Sequence, residues 1–320
     1  MSWKTVLNPR QAILGGQDTR RVPRGEIWLG SRLFRDLGWR DDLEARARLC
    51  DKLAMDILFV PVGPSLSRHH VFGYPHFRVD EVHQLVAEDR GWLVGAVIDG
   101  PFQRLAQKIG YQRLLLNWRA VEVAGALREE CCRVGQAVTA CLECKPDTLV
   151  IADDIAHQHS TYVSPRDLER FLFTSYRGWV QKAHDGDVPV FFHSDGNLTS
   201  ILPDVLLCGF DGLAGCELEC QDVSAFKRQY GSRLTLLTGV PGYLLDEGEM
   251  TARHQKQFTR QLTILASGGC FVLCSSRGLF SAKHLSRLKT LYRWADEAWD
   301  PSATSHNRLF SQKLSGPTKE

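Results

Sequence analysis

A chain of 320 residues, 43% hydrophobic and 24% charged with a formal net charge of +2, is long enough for a large core and carries no global basic field for nucleic acid. No apolar run reaches the roughly 18 residues of a membrane span, and the opening MSWKTVLNPRQ lacks the apolar centre of a signal peptide. A cytoplasmic protein without membrane or nucleic-acid partners is therefore expected, and its ten cysteines read as thiols, not as a disulfide framework.

The first strand-like run is EIWLG at 26–30. DILFVPVG at 56–63 follows the helical DDLEARARLCDKLA, and WLVGAVIDG at 92–100 is the third run. A helical stretch over roughly 119–143 precedes the fourth, TLVIADD at 148–154. Within it Cys131 and Cys132 read as packing. Cys141 and Cys144 form a lone CxxC with no second pair at zinc-finger spacing, so they read as structural thiols. SPRDLERFLFTSYRGWVQKAH is a helix with Ser164 as N-cap and Pro165 in its first turn. VPVFFHSDGNL at 188–198 carries the fifth strand, LTSILPDVLLCG is helical, and DGLAGCE at 211–217 is the sixth strand. DVSAFKRQYG is a helix stopped at Gly231, LTLLTGV at 234–240 the seventh strand, and GCFVLCSSRG at 269–278 the eighth, after a helix over roughly 249–267. SAKHLSRLKTLYRWADEAW closes the core as an amphipathic helix.

Eight strands alternating with helices imply parallel pairing and right-handed crossovers, and hence an α/β (β/α)8 barrel. An open doubly wound sheet is the alternative, but no G-x-G-x-x-G follows the first two strands. One barrel domain is expected over 1–300, with a polar tail over 301–320. The stretch PSLSRHHVFGYPHF at 64–77 is long enough to serve as a lid.

Barrels carry chemistry at the C-terminal ends of their strands. Here those ends bring Arg32, Asp99, Asp153, Asp154, His193, Asp195, Cys216, Glu217, Ser275 and Arg277 toward one rim. His193 and Asp195 are two apart on a strand and so share a face. Two readings stand side by side. In one, these are polar strand ends, with Asp195 and Asn197 capping the next helix and one of Asp153 and Asp154 capping a loop. In the other, they converge on a site.

The chain resembles the uroporphyrinogen decarboxylase-like superfamily, which includes zinc-dependent cobalamin and coenzyme M methyltransferases. The likeness rests on ADDIAHQHSTYVSPRDLERFL, PVFFHSDGNLTSILPDVLLCGFDGL, DVSAFKRQYGSRLTLLTGV and GGCFVLCSSRGL, with RVPRGEIW and IDGPFQRLAQKIG in support, and covers most of 20–295. It implies the same barrel. The decarboxylases' substrate-gripping arginine motif is missing, although Arg20, Arg21, Arg24, Arg32 and Arg35 lie in that region. Their aspartate, tyrosine and histidine positions fall at FVPVG, near Gln107 and near Arg277. The methyltransferases' His-x-Cys is matched by His193, with Asp195 in place of the first cysteine; Arg277 falls near the second, and Cys274 lies three residues earlier.

The resemblance thus implies a methyltransferase in corrinoid-linked one-carbon metabolism, with a small-molecule substrate and a corrinoid protein as partner. His193, Asp195 and Glu217 are candidate ligands for zinc or another divalent metal. Without a metal, His193 and Asp195 would form an acid–base pair. His193, Asp195, Asp153, Asp154 and Arg277 are the candidate catalytic residues, and Arg32, Asp99 and Glu217 the candidate substrate-binding ones. The alternatives are a decarboxylase acting on a tetrapyrrole such as uroporphyrinogen or another carboxylated substrate, and a non-catalytic corrinoid- or tetrapyrrole-binding subunit.

Overall fold

The eight predicted runs become β1 (Gly25–Glu26), β2 (Ile57–Pro61), β3 (Leu93–Asp99), β4 (Thr148–Ala152), β5 (Val190–His193), β6 (Gly212–Ala214), β7 (Thr235–Val240) and β8 (Phe271–Ser275) in a computed structural model. The structure describes residue 13 and residues 21–63, 74–231, 233–246 and 248–299. The strands pair in chain order, every pair parallel. A parallel bridge between Arg24 and Leu273 joins the first strand to the last, and the Leu273 N–H donates to the Pro23 carbonyl at 2.7 Å. The sheet therefore returns on itself as a (β/α)8 barrel, and the open-sheet alternative does not apply. The tail at 301–320 and the lid segment at 64–73 lie outside the described residues. No helix among the described residues is long and apolar enough to cross a membrane.

The strands are almost continuously apolar because both of their faces are covered. Alternation still sorts them. Ile57, Phe59, Val97, Val150, Phe191 and Leu237 fill the barrel interior, while Leu58, Val60, Ile98, Ile151 and Phe192 pack in the larger cluster that includes the helices. The first strand is shorter than its run. From Trp28 the chain turns toward the segment after β8, where the Leu279 N–H donates to the Trp28 carbonyl at 2.8 Å and the Gly30 N–H to the Leu279 carbonyl at 2.9 Å. That exchange of partners brings Trp28 to the barrel mouth. The helix predicted from Ser164 begins as expected, the Ser164 side chain accepting from the Asp167 N–H. It runs through a π-turn at Glu169–Phe173 into Thr174–His184.

Glu26 is 1% exposed and packs against the C-terminal helix Ala282–Ala298, accepting from the Ser275 N–H at 3.0 Å and the Tyr292 hydroxyl at 3.0 Å. Burial, partly offset by these donors, pushes its carboxyl up to about 7. The folded state thus holds this proton where the unfolded chain has released it. Its contribution to stability is complete below pH 4.5 and disappears as pH rises through about 7. The difference is roughly 3 kcal/mol. Urea unfolding of wild type and Glu26→Gln from pH 4 to 8 should show the wild type losing stability relative to the variant across this window. Parallel curves would contradict the assignment.

Candidate active site

The register aligns Asp99, Ala152, His193 and Ala214 across β3 to β6 at the C-terminal end of the barrel. Ala152 beside the histidine leaves space, and there a pocket opens. Parity decides which acids enter it. Val150 and Ala152 face the interior, so Asp154, two residues on, continues inward and lines the pocket. His193 and Asp195 do the same after Phe191. Gly215 makes room for the imidazole: its φ is +74°, and a Cβ there would stand 2.8 Å from His193 Nε2.

His193 is 2% exposed. Its Nε2 accepts from the Trp28 indole N–H at 2.8 Å, which in the neutral ring places the proton on Nδ1. Nδ1 lies 3.6 Å from Asp154 Oδ1, while Asp195 Oδ1 lies 3.9 Å from Nε2. Neither His193 Nδ1 nor Asp195 Oδ1 has a hydrogen-bond partner, although both atoms are buried. Burial pushes the imidazole's pKa down, but Asp154 and Asp195 outweigh it and the net shift is upward. Burial, with the charge of Asp154 beside it, pushes the Asp195 carboxyl up. Asp154, His193 and Asp195 each offer an atom within 4.8 Å of the others', a spacing that could hold a metal ion. Of the expected His193–Asp195 acid–base pair, the structure shows a charge contact at 3.9 Å and no hydrogen bond. The indole holds the nitrogen that Asp195 approaches, and 3.9 Å exceeds a hydrogen bond.

The opposite wall carries Asp99, whose carboxylate meets His76 Nε2 at 2.9 Å and accepts from the Tyr74 hydroxyl at 3.4 Å. Trp28 and Tyr74 lie together, ring centroids 4.7 Å apart, and Gln103 and Phe280 complete the lining beside Arg277. Arg277 is neutralised by Glu217 at 3.3 Å and Asp246 at 3.8 Å.

Three predicted site residues lie elsewhere. Asp153 has the opposite parity and points into the helix layer, 0% exposed, where it accepts from the Gln103 N–H at 2.6 Å, the Phe102 N–H at 3.2 Å and the Tyr176 hydroxyl at 2.6 Å. It anchors the first turn of the helix Pro101–Ile109 and does not reach the pocket. Arg32 sits on the short helix Ser31–Asp36 with its side chain 73% exposed, 4.0 Å from Asp36, and does not line the pocket. Glu217 accepts from the Gly196 N–H at 3.0 Å and pairs with Arg277, so it falls outside the ligand cluster, where Asp154 takes its place. Of the capping reading, Asp153 and Asp154 do accept from backbone N–H groups, Asp154 from that of Asp195 at 3.1 Å, whereas Asn197 accepts only from the nearby Thr199 N–H and the helix Leu202–Leu207 has no side-chain cap. Trp28, Tyr74 and His76 were not among the candidates. Trp28 is an aromatic with a polar N–H in the middle of the first run, whereas Tyr74 and His76 reach the site from a long connection that carries no strand signal.

No family model matches the chain, and no curated protein matches it. Solved structures do. A methyltransferase from Methanosarcina mazei superposes with a TM-score of 0.68 at 17% identity, over 90% of this chain and 97% of that one. The apo 3-keto-D-glucoside 4-epimerase from E. coli superposes with a TM-score of 0.52 at 11% identity, over 86% and 98%. At these identities the likeness is one of fold.

Proposed function

We propose that this chain is a metal-assisted methyltransferase of the uroporphyrinogen decarboxylase-like superfamily, working with a corrinoid as methyl carrier. The observation that carries the reading is the Asp154–His193–Asp195 cluster at the pocket floor, with two buried polar atoms left without partners. An unsatisfied buried nitrogen and oxygen in one cluster are costly unless something binds between them. The donor set, two carboxylates and one imidazole, suits a divalent ion harder than the zinc of a His/Cys/Cys site, such as manganese, iron(II), cobalt or zinc in an oxygen-rich setting. Asp154, His193 and Asp195 would hold it, the imidazole through Nε2 once the Trp28 N–H gives up that lone pair. When bound, such an ion supplies Lewis-acid polarisation of a substrate heteroatom.

The chain's own residues do the remaining work. Until a ligand takes Nε2, Trp28 fixes the imidazole's ring orientation and keeps its proton on Nδ1, 3.6 Å from Asp154 Oδ1. Trp28, Tyr74 and Phe280 keep water away from the reacting group. The motif resemblance and the fold likeness to a methyltransferase support this reading. The decarboxylase alternative is disfavoured by charge. A tetrapyrrole with several carboxylates would meet Asp99, Asp154 and Asp195, against one arginine already paired twice.

The test is methyl exchange with cobalamin. Metal-loaded protein is mixed with cob(I)alamin and a panel of methylated donors, and with methylcobalamin and thiols, while the corrinoid spectrum is followed. Metal-dependent gain or loss of methylcobalamin is expected. Release of CO2 from a carboxylated substrate, or tight cobalamin binding with no exchange in either direction, would overturn the proposal in favour of a decarboxylase or a binding subunit.

A further inference from the structure

Resting on the metal-binding reading of the Asp154–His193–Asp195 cluster, we propose that Trp28 is a latch on that site. Its indole N–H holds the imidazole lone pair, so an ion can ligate His193 only by expelling the indole. Metal entry and release of Trp28 are then one event, and the pocket has different walls with and without the ion.

The chemistry of the imidazole makes the two states exclusive. A neutral ring has one N–H and one nitrogen with a free lone pair. In this structure that lone pair is on Nε2, and it accepts from the Trp28 N–H at 2.8 Å, the rings meeting edge to face with centroids 5.2 Å apart. An ion on Nε2 takes the lone pair directly. An ion on Nδ1 would drive the proton to Nε2 and turn it into a donor facing another donor. Either way the indole must let go.

The frame around the bond decides which partner moves. His193 is held in β5 by pairing with Ala152 and Ala214 on both sides. The Trp28 main chain is equally fixed. Its carbonyl accepts from the Leu279 N–H at 2.8 Å, and Gly278, with φ at +84°, lies so close that a Cβ there would stand 2.5 Å from Trp28 Cβ. Only the indole side chain is left to turn. Trp28 is half-buried and lines the pocket, so it has open space to turn into. Its ring also lies 4.7 Å from that of Tyr74, so this rotation breaks up part of the aromatic wall. The cavity that a substrate meets is therefore set by the metal, which binds first.

The experiment follows the indole itself. Wild-type protein labelled with nitrogen-15 is titrated with zinc(II), and the indole N–H resonances are recorded while calorimetry gives the affinity. The Trp28 resonance is the one missing from Trp28→Phe. It is expected to leave its hydrogen-bonded position in step with zinc uptake and to approach the position it has in His193→Ala, which lacks the acceptor. Magnesium(II), which prefers oxygen ligands, should leave it in place. Trp28→Phe keeps a ring but has no N–H to compete, and should bind zinc about three- to tenfold more tightly, the scale of one hydrogen bond. Zinc uptake that leaves the wild-type Trp28 resonance unmoved overturns the latch and leaves the metal site standing, even if Trp28→Phe fails to fold. So does a folded Trp28→Phe that binds zinc equally or more weakly, or magnesium displacing the indole as zinc does. Zinc binding to Trp28→Phe but not to wild type would support the latch in its strongest form. Zinc binding to neither protein would remove the metal reading, and the latch with it.

Discussion

His193→Ala is expected to lower methyl exchange by at least about 100-fold, because removing a metal ligand should cost at least the upper end of what disturbing a ligand's outer partner does. The fold should survive. The barrel holds His193 by its backbone pairing in β5, and the variant removes a side chain whose Nδ1 has no hydrogen-bond partner. The one hydrogen bond lost is that from the Trp28 indole at 2.8 Å. An unpaired indole N–H at the pocket wall costs roughly 1–2 kcal/mol, and water entering the vacated space recovers part of it. Activity should therefore collapse while thermal melting moves by only a few degrees. Retained exchange, or a variant that does not fold, would contradict the role.

Asp153→Ala should behave in the opposite way. This carboxylate, fully buried, satisfies two N–H groups at a helix N-terminus and the Tyr176 hydroxyl, and Tyr176 is itself 0% exposed. Removing it strands three buried donors and opens a space beside Gly100, where a Cβ would come within 2.3 Å of the Asp153 side chain. The expected destabilisation is about 3–5 kcal/mol, less whatever is recovered by no longer burying a charge. That recovery depends on pH. Burial pushes the Asp153 carboxyl up to about 7, so the wild type carries the full cost of the buried charge only above that value. The difference between wild type and variant should accordingly be largest in mild acid and shrink toward pH 8. Urea unfolding at pH 5 and 8 measures it. Metal content of the folded fraction should be unchanged, because Asp153 points away from the cluster. A stable variant that loses its metal would place Asp153 in the site after all.

The contrast between two neighbouring aspartates shows what the sequence holds and what it conceals. Period-two alternation put His193 and Asp195 on one face of their strand, and both line the pocket. The same rule carried back from Val150 and Ala152 separates Asp154 from Asp153, but only once the inward face of that strand is known, and a strand apolar on both faces does not declare it. Strand order was readable because parallel barrels repeat one unit, and all eight runs became strands in sequence order. Arg32 misled because a run of arginines near the first strand suggests carboxylate binding, whereas its side chain extends from a surface helix into solvent. Glu217 was near enough to the site to look like a ligand, but its distance to Arg277 is a tertiary fact. The His76–Asp99 contact joins positions 23 apart through a connection whose course no local pattern specifies.

Divalent-metal binding at the Asp154–His193–Asp195 cluster tests the central claim most directly. Apo protein is titrated with manganese(II), followed by electron paramagnetic resonance, and with cobalt(II), followed by its visible absorption, in parallel with His193→Ala and Asp154→Asn. The expected result is one ion per wild-type chain, with affinity lowered at least tenfold in each variant, a typical cost of disturbing a metal's coordination. Wild-type protein that takes up no divalent ion, or variants that bind as tightly as the wild type, would contradict it.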